Sequence, residues 1–143
     1  MKKPINIKTE ACKNLSEEDL AIVLEGLHQE AFKAKKLEPI ESFAFTTKDE
    51  TNTLVAAVSG NLLYGAMYID SLFVAKEYRG NGYGLDLMQH CEQLARDNGC
   101  SFIVLTTMDW EARGFYEKLG FVIEYKRHGY KRDSIMYVMR KDL

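Results

Sequence analysis

Positive charge is not in excess in this chain: 19 Lys and Arg stand against 21 Asp and Glu in 143 residues, for a formal net charge of −2 and a pI near 5.9. Proteins that grip nucleic acid neutralise phosphates with clustered Lys and Arg, so this balance disfavours a nucleic-acid partner. Cysteine is sparse as well. Cys12, Cys91 and Cys100 are odd in number and far apart, and without a CxxC pair they indicate neither a disulfide framework nor a zinc site. No metal is expected, and a reducing cytoplasm is the natural compartment. Long hydrophobic runs are missing too. Residues 1–6 hold no apolar signal core, and the most apolar stretch, 54–75, is broken by Gly60, Asn61, Gly65 and Asp70. These gaps predict a soluble chain with no export signal and no membrane partner. Repeats and low-complexity tracts are absent. The length suits a single domain over residues 1–143, able to bury roughly two-thirds of the surface its unfolded chain exposes.

Strand and helix signals alternate along the chain. A first strand is expected over Asn6 to Ala11. Ser16-Glu17-Glu18-Asp19 reads as a capping box opening a helix with Leu20, Val23, Leu27 and Ala31 on one face, which ends near Lys36 before Pro39. Phe43 to Thr47 and Thr53 to Val58 are strand-like, Ser59-Gly60-Asn61 supplies a turn, and Leu62 to Val74 continues an antiparallel meander with a weak point at Gly65, where a bulge or bend is cheapest. A long helix is predicted from Gly82 to Asn98, with Leu85, Met88, Cys91 and Ala95 on one side and Leu87 and Leu94 adjoining. Ser101 to Thr106 is a short buried strand, Asp109 caps a helix from Trp110 to Leu119, and Phe121 to Arg127 and Ser134 to Lys141 are terminal strands around a polar tip. The order predicts a mixed α/β fold with helices packed on a central sheet.

The most informative segment joins the strand around Ile69 to Val74 to the long helix: Arg79-Gly80-Asn81-Gly82-Tyr83-Gly84. A glycine-rich turn that opens a helix presents free backbone N–H groups at the positive end of the helix dipole, a seat for phosphate. Neither common phosphate signature fits, since GxGxxG needs glycine where Leu85 stands and a P-loop needs Gly-Lys-Ser/Thr. What fits is Arg-x-x-Gly-x-Gly, followed by Ala112-x-x-Phe115-Tyr116-x-Lys118-x-Gly120-Phe121. Together these resemble the two core motifs of the GNAT N-acetyltransferase superfamily. The resemblance runs from end to end of the element order and implies the GNAT fold, with a predominantly antiparallel sheet.

That resemblance implies roles by matching position. Backbone amides of Arg79, Gly80, Asn81, Gly82, Tyr83 and Gly84 would hold the pyrophosphate of acetyl-CoA. The main chain of Leu72, Phe73 and Val74 would pair with the pantetheine arm as a strand does, one N–H facing the thioester oxygen. Tyr116 is the candidate general acid for the departing thiolate, because a phenol is protonated at neutral pH. Phe115 joins the cofactor seat by packing. Asp109 stands where the family often has an Asn that contacts pantetheine; a carboxylate accepts but does not donate, so capping is the expected job. Tyr68 stands where many members carry a Glu base, and Asp70, two residues on, is the nearest carboxylate and the candidate base, with His28 and Glu30 as runners-up. Cys91 reads as a buried structural thiol, and Lys118 as a solvated helix residue ahead of a contact to a cofactor phosphate.

The implied activity is transfer of an acetyl group from acetyl-CoA to a primary amine of a small molecule or peptide, by direct attack in a ternary complex and without metal. The acceptor would be bordered by residues 33–41 and by the tip 126–132, four of whose seven residues are Lys or Arg. Two alternatives stand beside it: a CoA-binding regulatory module without turnover, to which Tyr68 and Asp109 point, and an adaptor that uses the basic tip. A homodimer is left open by the sequence.

Overall fold

The computed structural model describes residues 6–143. Most of the stretch bearing on an export signal, residues 1–5, lies outside the described residues. The chain divides into two compact units on either side of Glu38. In the first, the strand expected over Asn6 to Ala11 does not form. Ile7 is its only large apolar residue and is exposed, so a ladder there would have almost nothing to bury. Helix α1 (Glu17–Lys35) forms as expected. Ser16 Oγ accepts from the Asp19 N–H at 3.1 Å, and Lys36, left-handed at φ 57°, closes the helix with its N–H on Phe32 O.

The second unit contains strands β1 (Glu41–Lys48), β2 (Leu54–Leu63) and β3 (Ala66–Val74), helix α2 (Tyr83–Asp97), strand β4 (Phe102–Met108), helix α3 (Arg113–Lys118) and strands β5 (Val122–Arg127) and β6 (Met136–Asp142). They build a six-stranded sheet in the order β1-β2-β3-β4-β6-β5. Every pairing is antiparallel except β3 with β4, as the expected mixed fold requires. No helix among the described residues is long and apolar enough to cross a membrane.

The meander differs from the sequence reading in one instructive way. Ser59-Gly60-Asn61 is not a turn; β2 runs straight through it, and Leu62 and Leu63 belong to β2 rather than to the next strand. The reversal occurs at Tyr64-Gly65, both with positive φ (52° and 82°), which is the two-residue turn whose twist matches a hairpin. Gly60 has a different task. A Cβ there would overlap the carbonyl oxygen of Tyr68, so glycine is required by close approach of β3 and not by a turn.

That approach accompanies a β-bulge. Ser59 pairs with Ser71 and Gly60 with Ile69, which leaves Asp70 as the extra residue on β3. The extra residue changes the side-chain phase: Met67 and Ile69 face the core before the bulge, Leu72 and Val74 after it. At the same point β3 leaves β4. The parallel ladder runs from Ala66↔Phe102 to Ile69↔Leu105 and stops, while both strands continue to Val74 and Met108.

Helix α2 covers one face of this sheet. Leu87, Met88, Cys91 and Ala95 are buried against a sheet face that includes Val58, Met67, Ile103 and Met139, each at most 1% exposed. Leu85, expected on the buried side, is 41% exposed, and Leu87 takes its place at 2%. The reason is positional: Leu85 lies in the first turn, over the opening left by β3 and β4, and lines a cavity instead of the core. Leu87→Ala should therefore cost about 2–5 kcal/mol in urea denaturation, whereas Leu85→Ala should stay below about 1 kcal/mol. Equal losses would return Leu85 to the core face.

Candidate active site

Where β3 and β4 part, a cavity of about 730 Å³ opens, within the range of small-molecule sites. Its walls are the end of β3 (69–74), which after Ile69 is unpaired on the side toward β4, the end of β4 (105–107), the turn and first residues of α2, and Trp110, Glu111, Ala112, Phe115 and Tyr116.

The floor of the cavity is the glycine turn, and the chain holds it open by local bonds. After a single 3-10 turn, Lys76–Tyr78, the backbone reaches Gly80 and Gly82 with φ of 80° and 85°, values that cost an ordinary residue about 1–2 kcal/mol. Side chains brace the turn from behind. Arg79 Nε donates to Val74 O at 3.0 Å, and Asn81 Nδ2 donates to the carbonyls of Tyr78 and Arg79 at 3.0 and 3.2 Å. Helix α2 then opens on Gly82 without any side-chain cap, and its first helical bond is Asp86 N–H to Gly82 O. The N–H groups of Tyr83, Gly84 and Leu85 thus have no acceptor within the helix and stand at its positive end. Nothing lies within 4 Å of a Cβ built on Gly80 or Gly82. Open amides, a helix dipole and a nearby guanidinium suit phosphate oxygens, and the edge of β3 released from β4 offers backbone partners to an amide-rich chain. The residues present fit a ligand that joins phosphate groups to an amide-rich chain.

The opposite wall is set by the segment between β4 and α3, and here the sequence reading needs correction. Asp109 caps no helix. Its N–H donates to Ile135 O at 3.0 Å, holding residue 109 beside the strand connection, and α3 begins only at Arg113. Other groups tie down the segment: Glu111 Oε1 accepts from Met108 N–H at 2.9 Å, and buried Thr107 Oγ1 accepts from Ala112 N–H at 3.3 Å. Asp109 and Asn81 lie outside the cavity lining, whereas Asp70, Leu72, Phe73, Val74, Arg79, Gly80, Gly82, Tyr83, Gly84, Phe115 and Tyr116 are brought together in it. Phe73 is half exposed because the bulge turns its side chain away from the core. Trp110 and Glu111 also line the cavity and escaped the sequence reading; they sit in the first turn of the predicted helix, which starts only at Arg113.

Tyr116 is buried between Phe115 and Phe121, their rings edge-on at 5.3 and 5.8 Å. Burial pushes its phenol up to about 12, with the Glu111 carboxylate and the Cys91 thiol adding to the rise. Its hydroxyl has no hydrogen-bond partner among the described residues, and the residue lines the cavity, so its proton is available there. Cys91 behaves as the sequence predicted, buried, with its thiol pushed up to about 12 by desolvation. Asp70 lies at the point of separation, its Oδ2 accepting from Asn61 Nδ2 at 3.1 Å. His28 lies on α1 with Glu30. The basic tip includes a single turn, Lys131–Asp133, with Arg132 and Asp133 left-handed.

The raised phenol has a measurable consequence. A tyrosine near 10 in the unfolded chain and near 12 in the folded one ionises first when unfolded, so folding is unaffected below pH 10 and loses stability as pH rises from 10 through 12. The full shift corresponds to about 2–3 kcal/mol. Tyr116→Phe should remove that share of alkaline destabilisation, leaving the share of Cys91, read as the difference between the two proteins' urea midpoints across pH 9–11.5. Parallel curves would show that burial does not disfavour the phenolate.

The chain matches the model of the acetyltransferase (GNAT) family over residues 9–121. It is 32% identical over 76 residues to an acetyltransferase of Agrobacterium fabrum, covering 53% of this chain and 56% of that protein. It is 27% identical over 106 residues to the blasticidin-S acetyltransferase of Streptomyces morookaense, covering 73% and 78%. The chain thus spans little more than half the length of the first of these relatives. Among solved structures, an acetyltransferase from Bacillus cereus superposes with a TM-score of 0.75 over 94% of this chain and 98% of that one, at 22% identity. An aminoglycoside 6′-N-acetyltransferase complexed with coenzyme A superposes with a TM-score of 0.63 over 71% and 73%, also at 22% identity. At that identity both are likenesses of fold.

Proposed function

Because the chain belongs to the acetyltransferase (GNAT) family, we propose that it is an acetyl-CoA-dependent N-acetyltransferase that modifies a primary amine of a small molecule or peptide by direct attack in a ternary complex. The observation that carries this reading is the meeting, in one cavity, of an uncapped glycine turn, a strand edge left free by its neighbour and a largely buried tyrosine. A structural relative captured with coenzyme A supports the choice of cofactor.

Acetyl-CoA supplies an acetyl thioester, from which the amine takes the acyl group and a thiol departs. The residues of the chain do the rest. Backbone N–H groups from Gly82 to Leu85 hold the pyrophosphate, with the Arg79 guanidinium close by. The main chain of Leu72, Phe73 and Val74 orients the pantetheine amides, and an N–H of that edge meets the carbonyl oxygen as negative charge develops on it. Asp70 takes a proton from the incoming ammonium, and Tyr116 gives one to the leaving sulfur. A phenol near 12 is poorly matched to a thiol of ordinary pKa, about 8.5. The mismatch narrows to the extent that bound substrates exclude water from the cavity, because desolvation raises a thiol as it raises the phenol. A thiolate leaving into that environment is a stronger base than one leaving into water.

A second reading, a CoA-binding module without turnover, draws on Tyr68 in place of an acidic residue. Free-thiol release across an amine panel separates the two.

Gly82→Val forces a β-branched residue into a left-handed cap and tilts the amides of the turn. Acetyl-CoA affinity by calorimetry should fall at least about tenfold in a protein that still folds; unchanged affinity would remove the turn from the cofactor seat. Tyr116→Phe keeps the ring packed and deletes the proton. Both kcat and kcat/KM should drop together by roughly 10²-fold with acetyl-CoA affinity held, whereas a packing role predicts lost stability with turnover retained. Since the phenol stays protonated well past neutrality, the wild-type rate should show no alkaline limb from Tyr116 below about pH 11.

A further inference from the structure

Across β1, β2 and β3 three polar side chains form a directed chain: Ser42 Oγ donates to Asn61 Oδ1 at 3.1 Å, and Asn61 Nδ2 donates to Asp70 Oδ2 at 3.1 Å. Register brings them together. Ser42 is directly opposite Asn61, Asn61 is opposite Tyr68, and the bulge leaves Asp70, two residues on from Tyr68, as the extra residue with no ladder partner. The direction is set by chemistry. With the amide turned over, its oxygen would face a carboxylate that only accepts, and the bond to Asp70 would become a repulsion. Ser42 therefore fixes the amide, and the amide fixes one carboxylate oxygen. Asparagine is a poor choice for mid-strand on propensity alone, and it makes no contribution to the apolar core.

We propose that Asn61, backed by Ser42, is a positioning residue for Asp70. By occupying Oδ2 it holds the carboxylate plane and leaves Oδ1 as the oxygen presented to the acceptor ammonium at the mouth of the cavity. The inference rests on the reading of Asp70 as the base. A free carboxylate at a bulge rotates about its last bond, and a proton acceptor that must meet an ammonium in one orientation loses rate when it does.

The test uses the full chain with n-butylamine, spermidine and a short peptide bearing a free N-terminus as acceptors, thiol release as readout, and the Asn61 side-chain amide followed by NMR. Asn61→Leu should lower kcat/KM for the amine about tenfold, the loss expected for one hydrogen bond to a charged group, with KM for acetyl-CoA and the denaturation midpoint unchanged. Ser42→Ala should act in the same direction and Ser42→Thr, which keeps the hydroxyl, should restore the rate. In an Asp70→Asn background Asn61→Leu should add less than about twofold. An equal loss in both backgrounds would overturn the positioning role while leaving Asp70 as base. Wild-type turnover in Asp70→Asn would remove the base and the inference with it. Absence of thiol release from the wild type with every amine would overturn the acetyltransferase reading itself. The Asn61 amide signals should move on Asp70→Asn and on Ser42→Ala; signals that stay in place would show that the chain of bonds does not exist in solution, and would overturn the inference whatever the rates.

Discussion

The parting of β3 from β4 after the Ile69–Leu105 pair is the constraint from which the rest of the cavity follows. Parallel neighbours ordinarily stay in register, because leaving it strands backbone N–H and C=O groups. Here a single extra residue, Asp70, increases the twist of β3 at the point of departure and reverses which of its side chains face the core. The bulge in turn depends on Gly60 of β2, whose missing Cβ leaves room for the Tyr68 carbonyl. One glycine on the neighbouring strand thus permits the opening, and the same shift sets Asp70 against Asn61. Geometry of the sheet and placement of the proposed base have a common origin.

The parts of the molecule that could be read from sequence are those whose local chemistry has one structural answer. Ser16 with Asp19 three residues on announced the start of α1, and Gly80 and Gly82 between an apolar strand and an amphipathic run announced the turn, because both need conformations that few other residues supply. Gly60-Asn61 and Tyr64-Gly65 were misread for the opposite reason. Each pair carries turn chemistry, and only long-range crowding by β3 tells the close approach from the reversal. Leu85 and Leu87 have equal hydrophobicity, and which one is buried depends on where the cavity meets the helix. Asp109 has the side chain of a cap but is held elsewhere by Ile135, which is distant in sequence. Trp110 and Glu111 were invisible as cavity residues as long as residue 109 was thought to open a helix.

Burial does two kinds of work in the same wall. Tyr116 sits among Phe115, Phe121 and Cys91, and that apolar packing both fixes the ring and raises its phenol. A solvated tyrosine would be a stronger acid, but it would face a solvated, weaker base. What matters for proton transfer is the difference between donor and acceptor, and a shared low-dielectric wall moves both in the same direction. The Glu111 carboxylate, engaged by the Met108 N–H, adds a negative charge that disfavours the phenolate further. In the proposed reaction the wall would keep the proton on Tyr116 until a more basic atom arrives.

Such a site is costly to maintain while open. Unpaired groups on β3 and β4 and three uncapped amides on α2 would each cost about 1–3 kcal/mol if buried dry, so they persist only because the cavity admits water. The stability that tolerates them comes from the far side of the same elements. Leu87, Met88, Cys91 and Ala95 are buried on α2, and Glu92 is held by Lys141 Nζ of β6 at 2.7 Å, an ion pair joining residues 49 apart in sequence, which also draws the Glu92 carboxyl below its usual range. With its C-terminal half anchored in this way, α2 can leave its first turn unsatisfied without fraying. In the proposed binding mode, phosphate and amide oxygens that replace water at those groups would meet donors already aimed, which would leave little conformational ordering to oppose binding. In this arrangement the anchored face of α2 and its open N-terminus are two ends of one energetic argument: the core fixes the helix so that its amides need not be fixed by the chain itself.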